Sequence, residues 1–133
     1  MSAPESVLLD TCVLIDLEQI DLSQVANATA LVSAVTMGEL GYGLDTNDPV
    51  ERAVRSERYY ETLNRFDVLP FDTSAAKLYG TMAALVRQAG RDPRPRRLDL
   101  QIAATAAANS LPLVTSNGKD FVGLERVLQV IEV

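Results

Sequence analysis

Acidic and amide side chains stand at four points of the chain where they could do chemistry together. Asp10 directly follows a short apolar run, Glu39 lies in "TMGEL", and Asp99 lies in "RLDLQ". Asn117 and Asp120 lie in "TSNGKDF", directly after the apolar "LPLVT". Carboxylate and amide oxygens are the ligands that suit Mg²⁺ or Mn²⁺. If these segments meet in space, the chain can build an all-oxygen metal site.

Electrostatic repulsion decides how such a group of acids could exist. Two like charges ~4 Å apart repel by roughly 4 kcal/mol at an effective dielectric constant of 20. Gathered carboxylates therefore need a cation, which can lower the pKa of a bound water and stabilise charge on a phosphoryl oxygen. Taken singly, each acid also has a structural explanation. Asp10, Asp99 and the predicted first-turn Glu39 could stabilise helix N-termini, and Asp120 could cap the turn around Gly118.

The residue inventory excludes several classes of enzyme. The chain has no histidine, so Ser-His-Asp and Cys-His nucleophile systems and histidine-based nucleases are impossible. Its single cysteine, Cys12, cannot form an internal disulfide and would give a zinc ion only one sulfur ligand. We interpret Cys12 as a small, partly buried residue and not as a nucleophile. Metal-assisted phosphodiester hydrolysis requires no histidine and remains open.

The elements that must position the acids follow from apolar periodicity. Strands are predicted at 6–10, 30–35, 67–71, 111–115 and 127–133, and helices at 11–19, 22–27, from Thr36, and at 49–65, 73–90 and 98–108. The prolines of 91–97 predict a loop that is not helical. This alternation is typical of an α/β fold with a parallel sheet covered on both faces, here one domain over 1–133. Ligands of such sheets bind beyond the carboxyl ends of the strands, where Asp10 would lie.

Charge is unevenly distributed along the chain. The net charge is −6, but the segment "RQAGRDPRPRR", residues 87–97, carries five arginines and one aspartate. We call it the basic segment. Its Arg94, Arg96 and Arg97 precede Asp99 and are candidates for contacts with RNA phosphates, although an exposed, solvated loop would look the same. No secretory signal and no run long enough to span a membrane is visible, so we expect a cytoplasmic protein without a membrane segment.

With these motifs in hand, the sequence resembles the PIN-domain family, in particular the VapC-type toxin ribonucleases of bacterial toxin–antitoxin pairs. The resemblance rests on "LLDTCVLID", "TMGEL", "RLDLQIAATA" and "LVTSNGKDF", which occur in the family's order over nearly the whole chain. It implies a three-layer α/β/α domain with a central, mainly parallel sheet. It also implies that Asp10, Glu39 and Asp99 hold Mg²⁺ or Mn²⁺ or order its waters.

The resemblance has further implications for the site and for its partners. It implies that Asp120 is the fourth catalytic and metal-binding acid, with Asn117 orienting a water and Thr11 and Thr115 in supporting roles. It implies cleavage of transfer or ribosomal RNA, which inhibits translation and growth. The implied partners are a VapB-type antitoxin covering the acidic groove, a second copy in a homodimer, and operator DNA through the antitoxin only. An apolar groove for the antitoxin is expected around four residues, Tyr42, Leu44, Tyr59 and Tyr60.

Two other readings compete with a ribonuclease. The first is a catalytically silent interaction module with the same fold, which the amide at Asn117 keeps open. The second is a phosphoaspartyl phosphatase or receiver domain. The phosphatase needs an aspartate where Cys12 stands, and both need a suitably placed lysine, for which the chain offers only Lys77 and Lys119.

Overall fold

The computed structural model describes residues 3–133, which form five strands and five α-helices. The strands are β1 Ser6–Leu9, β2 Thr29–Ser33, β3 Asp67–Leu69, β4 Leu113–Thr115 and β5 Val130–Glu132. The helices are α1 Thr11–Ile15, α2 Ala34–Tyr42, α3 Pro49–Arg65, α4 Thr73–Gln88 and α5 Arg97–Ala108. Four 3-10 turns occur at Leu17–Gln19, Ser23–Val25, Arg94–Arg96 and Gly118–Phe121. Among residues 3–133, no helix combines the length and apolar character needed to cross a membrane.

All strand pairs are parallel, and the sheet order is β3-β2-β1-β4-β5. β1 therefore lies at the centre and pairs with β2 on one side and β4 on the other. Their carboxyl ends lie side by side, because Leu9 is in register with Val114. The sequence-based prediction of a parallel α/β sheet is confirmed, and Asp10 begins the segment that leaves its centre.

The two faces of the sheet bury separate apolar clusters. Successive side chains of a strand point to opposite faces, so Leu8 packs with α4 and α5 while Val7 and Leu9 pack with α1, α2 and α3. The first cluster contains Met82, Val86, Leu100 and Ile102, and the second contains Val13, Val32, Met37 and Leu40. Helices thus cover both faces, which is the predicted three-layer α/β/α arrangement.

Several elements are shorter than predicted: the helices expected at 11–19 and 22–27 are α1 Thr11–Ile15 with 3-10 turns at Leu17–Gln19 and Ser23–Val25, and the last three strands lose residues at their ends. Two further differences bear on the candidate site. The second strand was expected to reach residue 35, but it ends at Ser33 because the Ser33 hydroxyl accepts a hydrogen bond from Val35 N at 3.0 Å and caps α2. Residues 91–97 were expected to be free of helix, yet Arg94–Arg96 forms a 3-10 turn that leads into α5. A proline in the first turn of a helix loses no hydrogen bond, so Pro95 is compatible with this turn.

The predicted end of the fourth helix near Gly90 is confirmed. The helix is capped by Ala89, and Gly90 follows with φ of 83°, a backbone conformation that favours glycine. The N–H of Arg91 then donates to the carbonyl of Val86 at 3.1 Å. This hydrogen bond closes the C-terminal end of α4, and residues 91–96 then lead to α5.

Candidate active site

Asp10 is the most buried of the predicted site acids, with 5% of its surface exposed. It caps α1, and its Oδ1 accepts a hydrogen bond from Thr11 N at 2.9 Å. Its Oδ2 accepts from the hydroxyl of Thr115 at 2.9 Å and lies 3.5 Å from Sγ of Cys12. Burial raises the pKa of Asp10, and these hydrogen bonds oppose that rise. The carboxylate is both a helix cap and a fixed group at the carboxyl end of β1.

Glu39 lies in the second turn of α2, not in the first turn as predicted, because α2 already begins at Ala34. The helix-end explanation for this acid therefore falls away. Its Oε1 accepts a hydrogen bond from the hydroxyl of Thr11 at 2.8 Å, and that hydroxyl lies 3.0 Å from Oγ1 of the buried Thr36. Since a carboxylate can only accept, the Thr11 hydroxyl is the donor to Glu39. Thr11 thus joins the acid after β1 to the acid of α2.

Asp99 lies in the first turn of α5, and the charges of the other three acids act on its carboxyl group. Its pKa is raised to about 6, first by burial and then by the charges of Asp10, Asp120 and Glu39, while Arg96 lowers it. Like charges raise a carboxyl pKa only when they lie close by. Asp10, Glu39, Asp99 and Asp120 therefore occupy one region, which we call the acidic cluster.

Asp120 lies on the 3-10 turn Gly118–Phe121 that follows β4. Its carboxylate forms an ion pair with the guanidinium of Arg96, and its backbone N–H donates to Asn117 O at 3.0 Å. Asn117 is exposed and donates its backbone N–H to Oγ1 of Thr115 at 3.1 Å. The structure thus places the Asp120 carboxylate in the acidic cluster, whereas the contact described for Asn117 is made by its backbone.

The three arginines predicted to bind RNA differ in their surroundings. Arg96 reaches the acidic cluster through Asp120. Arg94 pairs with Asp92 at 3.4 Å and has an 88% exposed side chain, and Arg97 donates from Nη1 to the carbonyl of Arg94 at 3.0 Å. Arg94 and Arg97 thus line an exposed rim next to the cluster.

Sequence reasoning missed three residues that support the site. Thr36 orients Thr11, Ser116 donates from its hydroxyl to Sγ of Cys12 at 3.1 Å, and Glu132 accepts from the backbone N–H of Gly118 at 2.8 Å. Thr36 stands three residues before Glu39, a helical spacing that could have indicated it. The position of Glu132 depends on the register of β5 against β4, which no local pattern encodes.

The donor set of the cluster fits a hydrated hard cation. Its groups are carboxylates flanked by threonine hydroxyls, the oxygen ligands that Mg²⁺ and Mn²⁺ prefer. Within the described residues, 3–133, no three acidic or cysteine side chains converge closely enough to ligate one ion together. Glu39 accepts a hydrogen bond from Thr11, and Asp120 forms an ion pair with Arg96. Mg²⁺ commonly binds through one or two carboxylates and keeps several waters, so this arrangement remains compatible with it.

A groove of about 570 Å³ lies between α3 and the chain from α1 to Leu22. Its walls combine apolar residues (Leu14, Ile15, Val54 and Phe66) with charged ones (Glu57, Arg58, Glu61 and Arg65). None of the four residues expected to form an apolar groove lines it. Tyr42 and Tyr60 are instead exposed, and Tyr59 packs edge-on against Tyr60 with ring centroids 5.2 Å apart.

Comparison with known proteins agrees with the fold. The PIN-domain family matches residues 7–127. Ribonuclease VapC5 of Mycobacterium tuberculosis is 30% identical over 132 residues, 97% of this chain and 95% of that protein. The tRNA(fMet)-specific endonuclease VapC of Shigella flexneri is 33% identical over 90 residues, 68% of this chain and 65% of that protein.

A solved structure extends the similarity to three dimensions. The structure is that of VapBC-5, a member of the VapBC family of toxin-antitoxin systems from Mycobacterium tuberculosis. It matches with a TM-score of 0.80 at 29% identity, over 99% of this chain and 100% of the matched chain. The chain described here therefore belongs to the PIN-domain family, and within it to the VapC-type proteins.

Proposed function

We propose that this protein is a divalent-metal-dependent endoribonuclease, the toxin of a VapBC-type pair, which cleaves transfer or ribosomal RNA and so inhibits translation and growth. The observation that carries the proposal is the position of four acids, Asp10 after β1, Glu39 on α2, Asp99 on α5 and Asp120 after β4, around one edge of the sheet. Four carboxylates at one edge of a parallel sheet are unfavourable without a cation. The names of the relatives support an RNA substrate for such a site.

The four acids of the cluster would have two different roles in binding Mg²⁺ or Mn²⁺. Asp10 and Asp99 would hold the ion, while Glu39 and Asp120 would order its waters. When bound, the ion would lower the pKa of a water and stabilise negative charge on the phosphoryl oxygens. Thr115 and Thr11 keep Asp10 and Glu39 in fixed orientations through the hydrogen bonds described above. Because they are already oriented, little reorganisation would be needed when substrate arrives.

RNA would approach over the arginines beside the cluster. A guanidinium binds phosphate oxygens through paired N–H donors, so Arg94, Arg96 and Arg97 would position the backbone of the strand to be cut. Such contacts carry no base specificity. The identity of the RNA would therefore depend on its shape and on where the cleaved bond can reach the carboxylates. Action on these RNAs would place the protein in the cytoplasm.

The proposed partner is a VapB-type antitoxin. The groove between α1 and α3 is lined by apolar residues together with charges of both signs, a combination that suits an amphipathic helix. A basic side chain of the antitoxin reaching the acidic cluster would neutralise its charge and block substrate. We further propose a homodimer and binding of operator DNA through the antitoxin.

The experiment that tests the function is cleavage of total RNA by purified, antitoxin-free protein with Mn²⁺ or Mg²⁺ and with EDTA. Discrete fragments that need the metal and disappear in Asp99→Asn are expected, and mapping their ends would identify the RNA. Asp67→Asn is the matched control, since Asp67 is exposed and lies at the start of β3, away from the carboxyl edge. Absence of fragments from a folded protein that shows no Mn²⁺-dependent stabilisation would favour the silent interaction module instead.

A further inference from the structure

An arginine of the basic segment pairs with one of the acids that would bind the metal. Arg96, on the 3-10 turn before α5, pairs with Asp120, on the turn after β4, and their side chains are 35% and 20% exposed. The other ion pairs formed among residues 3–133 are Arg55–Glu51 and Arg94–Asp92. Each of those joins near neighbours in sequence and has a more exposed acid. Of these three ion pairs, the Arg96–Asp120 pair is the one that links the basic segment to the acidic cluster.

Arg96 acts on more than one acid of the cluster. Besides its ion pair with Asp120, it lies three residues before Asp99, on the turn that leads into α5. The guanidinium thus supplies part of the charge compensation that a metal ion would supply. While it holds Asp120, that carboxylate is less available to a metal ion or to its waters.

The same guanidinium is suited to a second partner. A carboxylate and a phosphate each present two oxygen acceptors to the paired N–H donors of a guanidinium. A carboxylate and a phosphate therefore compete for the same arginine. Arg96 stands next to the exposed Arg94 and Arg97, where an RNA backbone would approach. A phosphate bound there is therefore an alternative to Asp120.

We propose that Arg96 is a positioning residue shared between two partners: Asp120 holds it in the free protein, and an RNA phosphate draws it away and releases Asp120 to the metal. This inference rests on the proposed function. It makes the binding of RNA and of metal mutually reinforcing, because each ligand removes a competitor of the other. With such coupling, Asp120 would join the metal site only in the complex with RNA.

Metal affinity tests the first half of the proposal. Mn²⁺ dissociation constants are measured by calorimetry for the wild-type protein, Arg96→Gln, Asp120→Asn and the double variant, each checked for folding by circular dichroism. Loss of a partly buried ion pair predicts Mn²⁺ binding about fivefold tighter in Arg96→Gln. In the Asp120→Asn background the same substitution should change the affinity by less than about twofold. Arg91→Gln, an equal charge change at an exposed position of the basic segment, should leave it within about twofold.

RNA affinity tests the second half. Binding of a labelled RNA oligonucleotide is measured in EDTA, where metal-dependent cleavage cannot occur. Arg96→Gln should weaken binding about fivefold, and Asp120→Asn should strengthen it, a gain that disappears in the double variant. Opposite changes in metal and RNA affinity would not arise from a purely structural role. A lower melting temperature with unchanged Mn²⁺ affinity would overturn the proposal, as would an equal Mn²⁺ effect with and without Asp120.

Cleavage by the wild-type protein separates this inference from the proposed function. If both binding effects appear but RNA is not cut, Arg96 is shared as proposed and the ribonuclease assignment fails. If RNA is cut but neither binding effect appears, the ribonuclease stands and the inference about Arg96 fails.

Discussion

The backbone N–H of Gly118 donates a hydrogen bond of 2.8 Å to Oε1 of Glu132, which joins the turn that carries Asp120 to the last strand of the sheet. A Cβ atom at residue 118 would lie 2.7 Å from the same Oε1. The glycine therefore leaves space for the carboxylate that receives its own N–H. One contact between β5 and the turn thus helps to hold the fourth acid in place.

Gly118→Ala displaces the Glu132 carboxylate through its Cβ, and Glu132→Ala removes that carboxylate, so each should reduce the free energy of unfolding by about 1 kcal/mol. Because they remove the same contact, the double variant should lose little more than either single variant. Urea unfolding of all three measures the coupling, and Glu132→Gln, which keeps the Oε1 acceptor, is the control. Fully additive losses would show that the hydrogen bond does not stabilise the turn.

Two substitutions of Asp10 should affect stability and activity differently. Asp10→Ala leaves the N–H of Thr11 and the hydroxyl of Thr115 without their acceptor, and should cost about 1–3 kcal/mol of unfolding free energy. Asp10→Asn keeps an oxygen for Thr11, and Thr115 can turn its hydroxyl to accept from the new amide. We expect this variant to stay folded and to lose RNA cleavage. A nearly wild-type cleavage rate in Asp10→Asn would remove Asp10 from the proposed mechanism.

Asp99→Asn should make the protein more stable in a manner that depends on pH. The folded pKa of about 6 is higher than the ordinary value of 3.8. The ionised carboxylate therefore disfavours the fold above about pH 6, and this cost disappears as the pH falls toward 4 and the folded state takes up a proton. After allowance for solvent screening of this half-buried group, the variant should gain about 1 kcal/mol near neutral pH.

Thermal melting of Asp99→Asn and the wild-type protein in EDTA, from about pH 4.5 to 8, measures this difference. The gap in melting temperature should widen as the pH rises through about 6 and then level off. A gap that stays constant across this range would mean that the substitution acts through packing and not through the charge of Asp99.

The hydroxyl group of Thr11 should be needed for a full rate of RNA cleavage. Thr11→Val keeps the shape of the side chain but removes the bond to Glu39, so Glu39 should lose its fixed orientation and cleavage should fall about tenfold or more. Thr11→Ser keeps the hydroxyl and should retain most of the activity. Metal-dependent cleavage rates of the two variants make the comparison, and equal rates would assign Thr11 to structure alone.

Much of the fold can be predicted from local patterns in the sequence. Val7, Leu8 and Leu9 form a continuous apolar run because the strand is buried on both faces, and the central position of β1 agrees with this. The clustering of Asp10, Asp99 and Asp120 could also be predicted, since the carboxyl ends of parallel strands share one edge. These predictions needed only periodicity and topology.

The errors arose where a side chain determined the backbone. Ser33 could have continued the second strand, but its hydroxyl caps α2 and moves Glu39 from the first turn to the second. The pairing of Arg96 with Asp120 and of Glu132 with Gly118 joins segments distant in sequence. Such contacts depend on strand register and on rotamers, which residue types and spacing do not fix.

The hydrogen bond between Thr115 and Asp10 spans 105 residues, and this has a consequence for biosynthesis. A ribosome-bound nascent chain contains Asp10 and Glu39 before β4 exists, so β1 then lacks one of its two neighbouring strands. Contacts of this sequence separation form late in folding. The proposed nuclease would therefore stay inactive during its own translation, and it would acquire activity only when the second half of the sheet docks on β1.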